Sequence, residues 1–144
     1  MVIATSMPMA VACLEGENGL QGTVKFYPIP GGSLVMAEVV GLPKNETGFY
    51  GFHIHEGKNC GGEAFSHTGG HFSPEGAAHP KHRGDLPPLL SDQGKAFLAV
   101  KSTRFTPCDI LGRTVVIHDR ADDFHTQPGG ASGKKIGCGV IRRL

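Results

Sequence analysis

No apolar run in this chain approaches the ~18 residues that a membrane-spanning helix needs, which excludes a helical membrane protein. Blocks of like charge are missing as well. The 14 basic and 13 acidic residues leave a formal charge of +1, so neither nucleic acid nor a lipid surface is expected as the main partner. Cysteine is scarce: Cys13, Cys60, Cys108 and Cys138 are too few for a disulfide scaffold and permit two bridges, one or none. Trp is absent, and helical periodicity is hard to find anywhere, which argues against a helical bundle. The N-terminal stretch "MVIATSMPMAVACLEG" has no Lys or Arg at its start, and Pro8 interrupts its apolar residues. A secretory signal is therefore not expected; the chain points to the cytoplasm, or to an extracytoplasmic site if a signal was removed.

What the chain does contain is turn-formers. Its 144 residues include 22 Gly and 10 Pro, with 39% hydrophobic and 19% charged residues, the profile of one globular domain spanning 1–144. Short β-rich runs recur between Gly, Pro, Asn and Asp, so an all-β fold is expected. The predicted strands are Met9–Glu15, Gln21–Tyr27, Ser33–Val40, Gly48–Glu56, Lys95–Thr103, Arg113–Asp119 and Gly137–Arg142. A further short strand around Asp85–Leu90 is confined to an edge by Pro87 and Pro88. Two long segments, Gly57–Gly84 and Arg120–Gly133, have no strand pattern, and loops of that length in a compact domain are usually functional or disordered. The expected architecture is a β-barrel or sandwich with two working loops.

Histidines mark those loops. In "GFHIHEGKNC", His53 and His55 lie two apart in a strand and share one face, roughly 6.5–7 Å apart, which suits convergence on one ion. An H-x-H alone is a weak signal. The first loop adds His71, His79 and His82, with Asp85 three residues later, a donor set suited to Zn²⁺. "GRTVVIHDRADD" places His118 at a strand end; with His53 and His55 it makes a second group of imidazoles, suited to copper.

The motifs "GFHIHE", "GGHFSP", "HRGDLP", "GRTVVIHDRADD" and "GCGVI" occur in one order between Ala10 and Ile141, and together they resemble the copper–zinc superoxide dismutase family. The resemblance implies an eight-stranded Greek-key β-barrel and an enzyme that converts superoxide to dioxygen and hydrogen peroxide with copper and zinc. It implies copper ligation by His53, His55, His71 and His118, and zinc ligation by His71, His79, His82 and Asp85, with His71 as the bridge. Asp122 matches the carboxylate that joins a copper histidine to a zinc histidine, and Arg113 the arginine that buttresses the first loop. Cys60 and Cys138 match the family's disulfide. The implied partner is the superoxide anion; the resemblance also allows a homodimer and a copper-delivering chaperone, without choosing monomer or dimer. A metal-binding module without turnover is the rival, because fold does not fix function.

Three departures from the family pattern stand out. Only two residues separate His79 from His82. Lys135 stands where the family has an active-site arginine, keeping the charge without the planar fork. The second loop is short, with Gly129 where a threonine often narrows the channel. The remaining polar residues are expected to be bystanders: His67 and His125 solvated, Cys108 a free thiol, and Cys13 a small core residue.

Overall fold

A computed structural model describes residues 7–144. The reading of the N-terminus as a poor signal also involves residues 1–6, which lie outside that range. Nine strands are present: β1 (Ala10–Gly16), β2 (Gln21–Ile29), β3 (Gly32–Val40), β4 (Phe49–Tyr50), β5 (Phe52–His55), β6 (Leu89–Leu90), β7 (Ala96–Ser102), β8 (Thr114–His118) and β9 (Lys135–Arg143). Seven form one curled antiparallel sheet in the order β5-β8-β9-β1-β2-β3-β7, while β4 pairs with β6. The chain runs up and down through β1–β3. It then crosses to the far edge as β5, so that β9 returns beside β1, as in a Greek key.

The predicted strand Gly48–Glu56 is divided at Gly51. Residues before it pair with β6 and residues after it pair with β8. The division has a local cause: Gly51 leaves the ladder to donate its N–H to Arg120 O and to accept from His118 N, both at 2.8 Å. Counted as one interrupted strand, β4 and β5 give the expected eight. The expected edge strand shrinks to Leu89–Leu90, after the two prolines that have no N–H to pair.

Alternation along the strands fills the interior. On β1, Ala10, Ala12 and Leu14 point inward, opposite Val24 and Phe26 of β2 and Val35 of β3. The same alternation turns Cys13 outward, so the expectation of a core cysteine fails: it is an exposed free thiol. Cys108 is also free and exposed. At the other end of the sheet, Phe52 and Ile54 enter the core while His53 and His55 face the first loop. Among the described residues no helix is long and apolar enough to cross a membrane.

Candidate metal centre

The first loop does not wander; its backbone returns along β5. Glu56 N donates to Gly70 O, Phe72 N to Ile54 O, Ile54 N to Gly84 O and Gly84 N to Phe72 O, all at 2.8–2.9 Å. These bonds put His71 opposite His55 and Asp85 opposite His53. Gly84 is needed for the approach, because a Cβ there would collide with the carbonyl oxygen of Ile54. Arg113, just before β8, closes the loop's start by donating from Nη1 to Glu56 O at 2.8 Å, with its guanidinium 5.3 Å from the centre of the Phe72 ring. The Cys60–Cys138 disulfide links the same loop to β9, 78 residues away.

His53, His55, His71 and His118 converge, with one ring nitrogen each within 4.8 Å of the others. The opposite nitrogens of three are already engaged. His53 Nε2 lies 2.7 Å from Asp122 Oδ2, His55 Nδ1 lies 2.8 Å from Gly69 O, and His118 Nδ1 lies 3.4 Å from Gly133 O. That leaves His53 Nδ1, with no hydrogen-bond partner, and the Nε2 atoms of His55 and His118, which stand 3.2 Å apart. Outward nitrogens fixed and inward ones free is the pattern that ligating imidazoles require. Burial pushes the pKa of all three rings down, His118 to about 3, so at neutral pH they carry the lone pair a metal needs.

A second set of donors, from His53, His71, His79 and Asp85, also lies within 4.8 Å. His82 stands against it, its Nδ1 3.2 Å from His71 Nδ1 and 3.0 Å from Asp85 Oδ2. His71 Nδ1 is 2.8 Å and His79 Nδ1 3.1 Å from the same carboxylate. His79 resembles His53: its Nε2 is held by Asp122 Oδ1 at 2.7 Å, and its buried Nδ1, although 3.1 Å from Asp85 Oδ2, is not aligned for a hydrogen bond. An unsatisfied buried polar atom costs about 1–3 kcal/mol, so two orphaned nitrogens facing two carboxylate-flanked clusters fit a pair of cations. Burial alone would raise the pKa of Asp85 and of Asp122. Hydrogen bonds from His71 to the first, and from His53 and His79 to the second, outweigh it and hold both below the usual carboxylate range.

His71 faces both clusters. Its Nδ1 points at Asp85, while its Nε2 lies under Gly129, where a Cβ would come within 3.2 Å of it. A hollow of about 220 Å³ opens there, lined by His71, His118, Gly129, Ala131 and Ser132 among others. Lys135, the first residue of β9, is half-buried and donates from Nζ to Thr68 Oγ1 at 2.7 Å and to Gly69 O at 3.0 Å. Burial lowers its pKa. Lys134 turns away to Glu17, 3.6 Å distant on the surface.

The bystanders stay outside. His67 is exposed beside Asn59 Oδ1 at 2.9 Å, and His125 is exposed beside Asp123. Three participants carried no signal in the sequence. Thr68 anchors Lys135, and Gly69 offers the carbonyl shared by Lys135 and His55. Gln127 clasps the backbone of His79 in both directions, accepting from its N–H at 2.9 Å and donating to its carbonyl at 2.8 Å.

The geometry agrees with what comparison with known proteins finds. A family model described as copper/zinc superoxide dismutase matches residues 20–141. Superoxide dismutase [Cu-Zn] of Deinococcus radiodurans is 38% identical across 91% of this chain and 82% of its own length. That of Legionella pneumophila is 33% identical across 99% and 90%. The copper chaperone for superoxide dismutase of Homo sapiens is 32% identical across 93% of this chain, which spans 53% of the chaperone's length. The crystal structure of the clock protein EA4 superposes with a TM-score of 0.83 at 31% identity, and each chain is covered in full.

Proposed function

The chain belongs to the copper/zinc superoxide dismutase family, and from that premise we propose that it disproportionates superoxide, 2 O₂⁻ + 2 H⁺ giving O₂ and H₂O₂. The observation that carries the proposal is the division of labour among the imidazole nitrogens: outward ones held by Asp122, Gly69 and Gly133, inward ones free and convergent. His53, His55, His71 and His118 would hold copper; His71, His79, His82 and Asp85 would hold zinc. His53 falls within both groups of donors, but Asp122 takes its Nε2, so it has a single nitrogen to give and His82 completes the zinc set. Copper when bound supplies a one-electron couple between its +2 and +1 states, and zinc supplies fixed charge without redox chemistry.

The protein's own residues do the rest. Asp122 ties a ring of each set to one carboxylate, so neither His53 nor His79 can rotate without the other. His71, with Nδ1 directed at Asp85, has Nε2 on the open side; that nitrogen would hold either copper or a proton, and when free of the metal it would carry the proton and pass it to departing peroxide. Lys135 places a cation on the Gly69 carbonyl that also holds His55, where it attracts the anion and helps to hold it. Gly129 leaves the approach to His71 clear.

Metal analysis of the purified protein beside a dismutation assay tests this reading. Stoichiometric copper and zinc with fast dismutation is expected; stoichiometric copper without dismutation refutes it. That second outcome would favour a copper-handling module without turnover, a reading that the chaperone-named relatives keep in view.

A further inference from the structure

The loop that supplies His79 and His82 is too short to support itself. Two residues lie between the histidines, and the turn hydrogen bonds within it run from Lys81 N to Ala78 O at 2.7 Å and from Asp85 N to His82 O at 3.2 Å. Its remaining support comes from elsewhere. Arg104, past the end of β7, sends Nη1 to two carbonyls of this turn: Pro80 O at 2.7 Å and His82 O at 3.1 Å. Arg104 is well rooted for that task. Its own N–H donates to Ser102 Oγ at 3.1 Å, and the next residue, Phe105, is buried. Phe105 packs edge-on to Phe26 at 6.3 Å between ring centres, and its carbonyl accepts from buried Ser33 Oγ at 3.0 Å. A guanidinium on a core-anchored stem thus spans the turn between the two histidines.

We propose that Arg104 is a positioning residue of the zinc cluster, clamping the backbone of the turn between His79 and His82 from outside, opposite the hold that Gln127 has on His79, so that both rings meet Asp85. The proposal rests on the zinc assignment given above. Arg104 makes no hydrogen bond to the imidazole or carboxylate donors; it acts through the backbone carbonyls of Pro80 and His82. Arginine suits the role because one planar group offers several N–H donors in fixed directions, whereas a lysine ammonium is a point charge on a flexible stem. Partners that orient metal ligands typically cost 10–100-fold in affinity when removed, and about that loss is expected here.

The test is titration of the copper-loaded, zinc-free protein with Zn²⁺ and with Co²⁺, whose absorption bands report tetrahedral ligation. Arg104→Ala should weaken both ions by about 10–100-fold and alter the Co²⁺ bands. Arg104→Lys should recover part of the affinity, and the melting temperature of the metal-free protein should hardly move in either variant. Wild-type affinity and bands in Arg104→Ala overturn the proposal while leaving the zinc assignment intact. If Arg104→Ala fails to fold, Arg104→Met keeps an unbranched stem without any N–H donor, and wild-type Co²⁺ bands in that variant overturn the proposal too. A wild-type protein that gives no tetrahedral Co²⁺ spectrum instead refutes the zinc assignment, and the proposal falls with it.

Discussion

Lys135 Nζ donates to the carbonyl oxygen of Gly69 at 3.0 Å, and the same oxygen lies 2.8 Å from His55 Nδ1. The Lys135 cation and the His55 ring are therefore fixed to one peptide group. Thr68 extends the arrangement: its hydroxyl accepts from Lys135 Nζ at 2.7 Å and donates to Phe65 O at 2.8 Å. The position of the charge relative to the four convergent imidazoles is thus built into the loop, not left to a free side chain.

Lys135→Glu should lower the second-order rate of dismutation by about tenfold or more, since reversing a charge beside the copper cluster changes the approach energy by over 1.4 kcal/mol. Lys135→Arg should preserve or raise it. The difference should narrow with added salt, as the Debye length falls from ~10 Å at 0.1 M to ~3 Å at 1 M. Lys134→Glu should do much less, because Lys134 is turned toward Glu17. Pulse-radiolysis rates at several ionic strengths check this, and equal losses in the two variants would move the role away from Lys135.

His53 lies in β5 and His118 at the end of β8, while the core is made by their apolar neighbours, so the copper assignment can be tested without dismantling the barrel. His53→Ala or His118→Ala should abolish turnover and copper stoichiometry with little change in far-UV circular dichroism. Near-normal activity in either variant with copper supplied would remove that residue from the ligand set.

Asp85 is the carboxylate against which His71, His79 and His82 all stand, within 3.1 Å. Asp85→Asn keeps the shape but replaces an anionic ligand with a neutral amide. Zinc affinity should fall, and the stability lost on chelation should shrink with it. Unchanged zinc affinity by competition with a chromophoric chelator would show that Asp85 is not a ligand.

Six of the long strands were legible in the sequence because alternation of β-branched and polar residues between turn-formers is a local signal; their ends fall within two residues of expectation. The break at Gly51 was not, since it follows from hydrogen bonds to Arg120 and His118, some 70 residues away. The histidines were readable by type and motif, and Asp122 by its place after His118. Arg104 and Gln127 were not, because both act on backbone carbonyls or amides, which leave no mark on sequence pattern. Cys13 went astray for a simpler reason: the inward phase of β1 is set by Ala12 and Leu14, and the cysteine falls between them.

The Cys60–Cys138 bridge closes a loop across a sequence separation of 78. Chain-entropy reasoning puts its contribution at about 4–5 kcal/mol. Reduction should lower the melting temperature clearly and loosen the first loop, including Gly69 and Thr68, so the contribution of Lys135 and with it the salt dependence of the rate should shrink. Peptide mapping should recover this pair, with Cys13 and Cys108 as free thiols.

Acid should destabilise the metal-free protein in a defined window. Burial lowers the pKa of His118 from 6.5 to about 3, and that of His53 and His55 in the same direction. Between those values the unfolded chain binds protons that the folded one refuses, so stability rises with pH across the window and falls as pH drops from about 6.5 toward 3. Asp85 and Asp122 add to the loss from about pH 4 downward. Their carboxylates are held below the usual range in the fold, and the stability they contribute disappears as they protonate. Denaturant midpoints of the metal-free protein should therefore decline from neutral pH, well before ordinary carboxylates titrate. His118→Asn, which cannot take up that proton, should flatten the upper part of the curve. A midpoint that stays level from pH 7 to 5 in the metal-free wild type would mean that these imidazoles are free to charge within the fold.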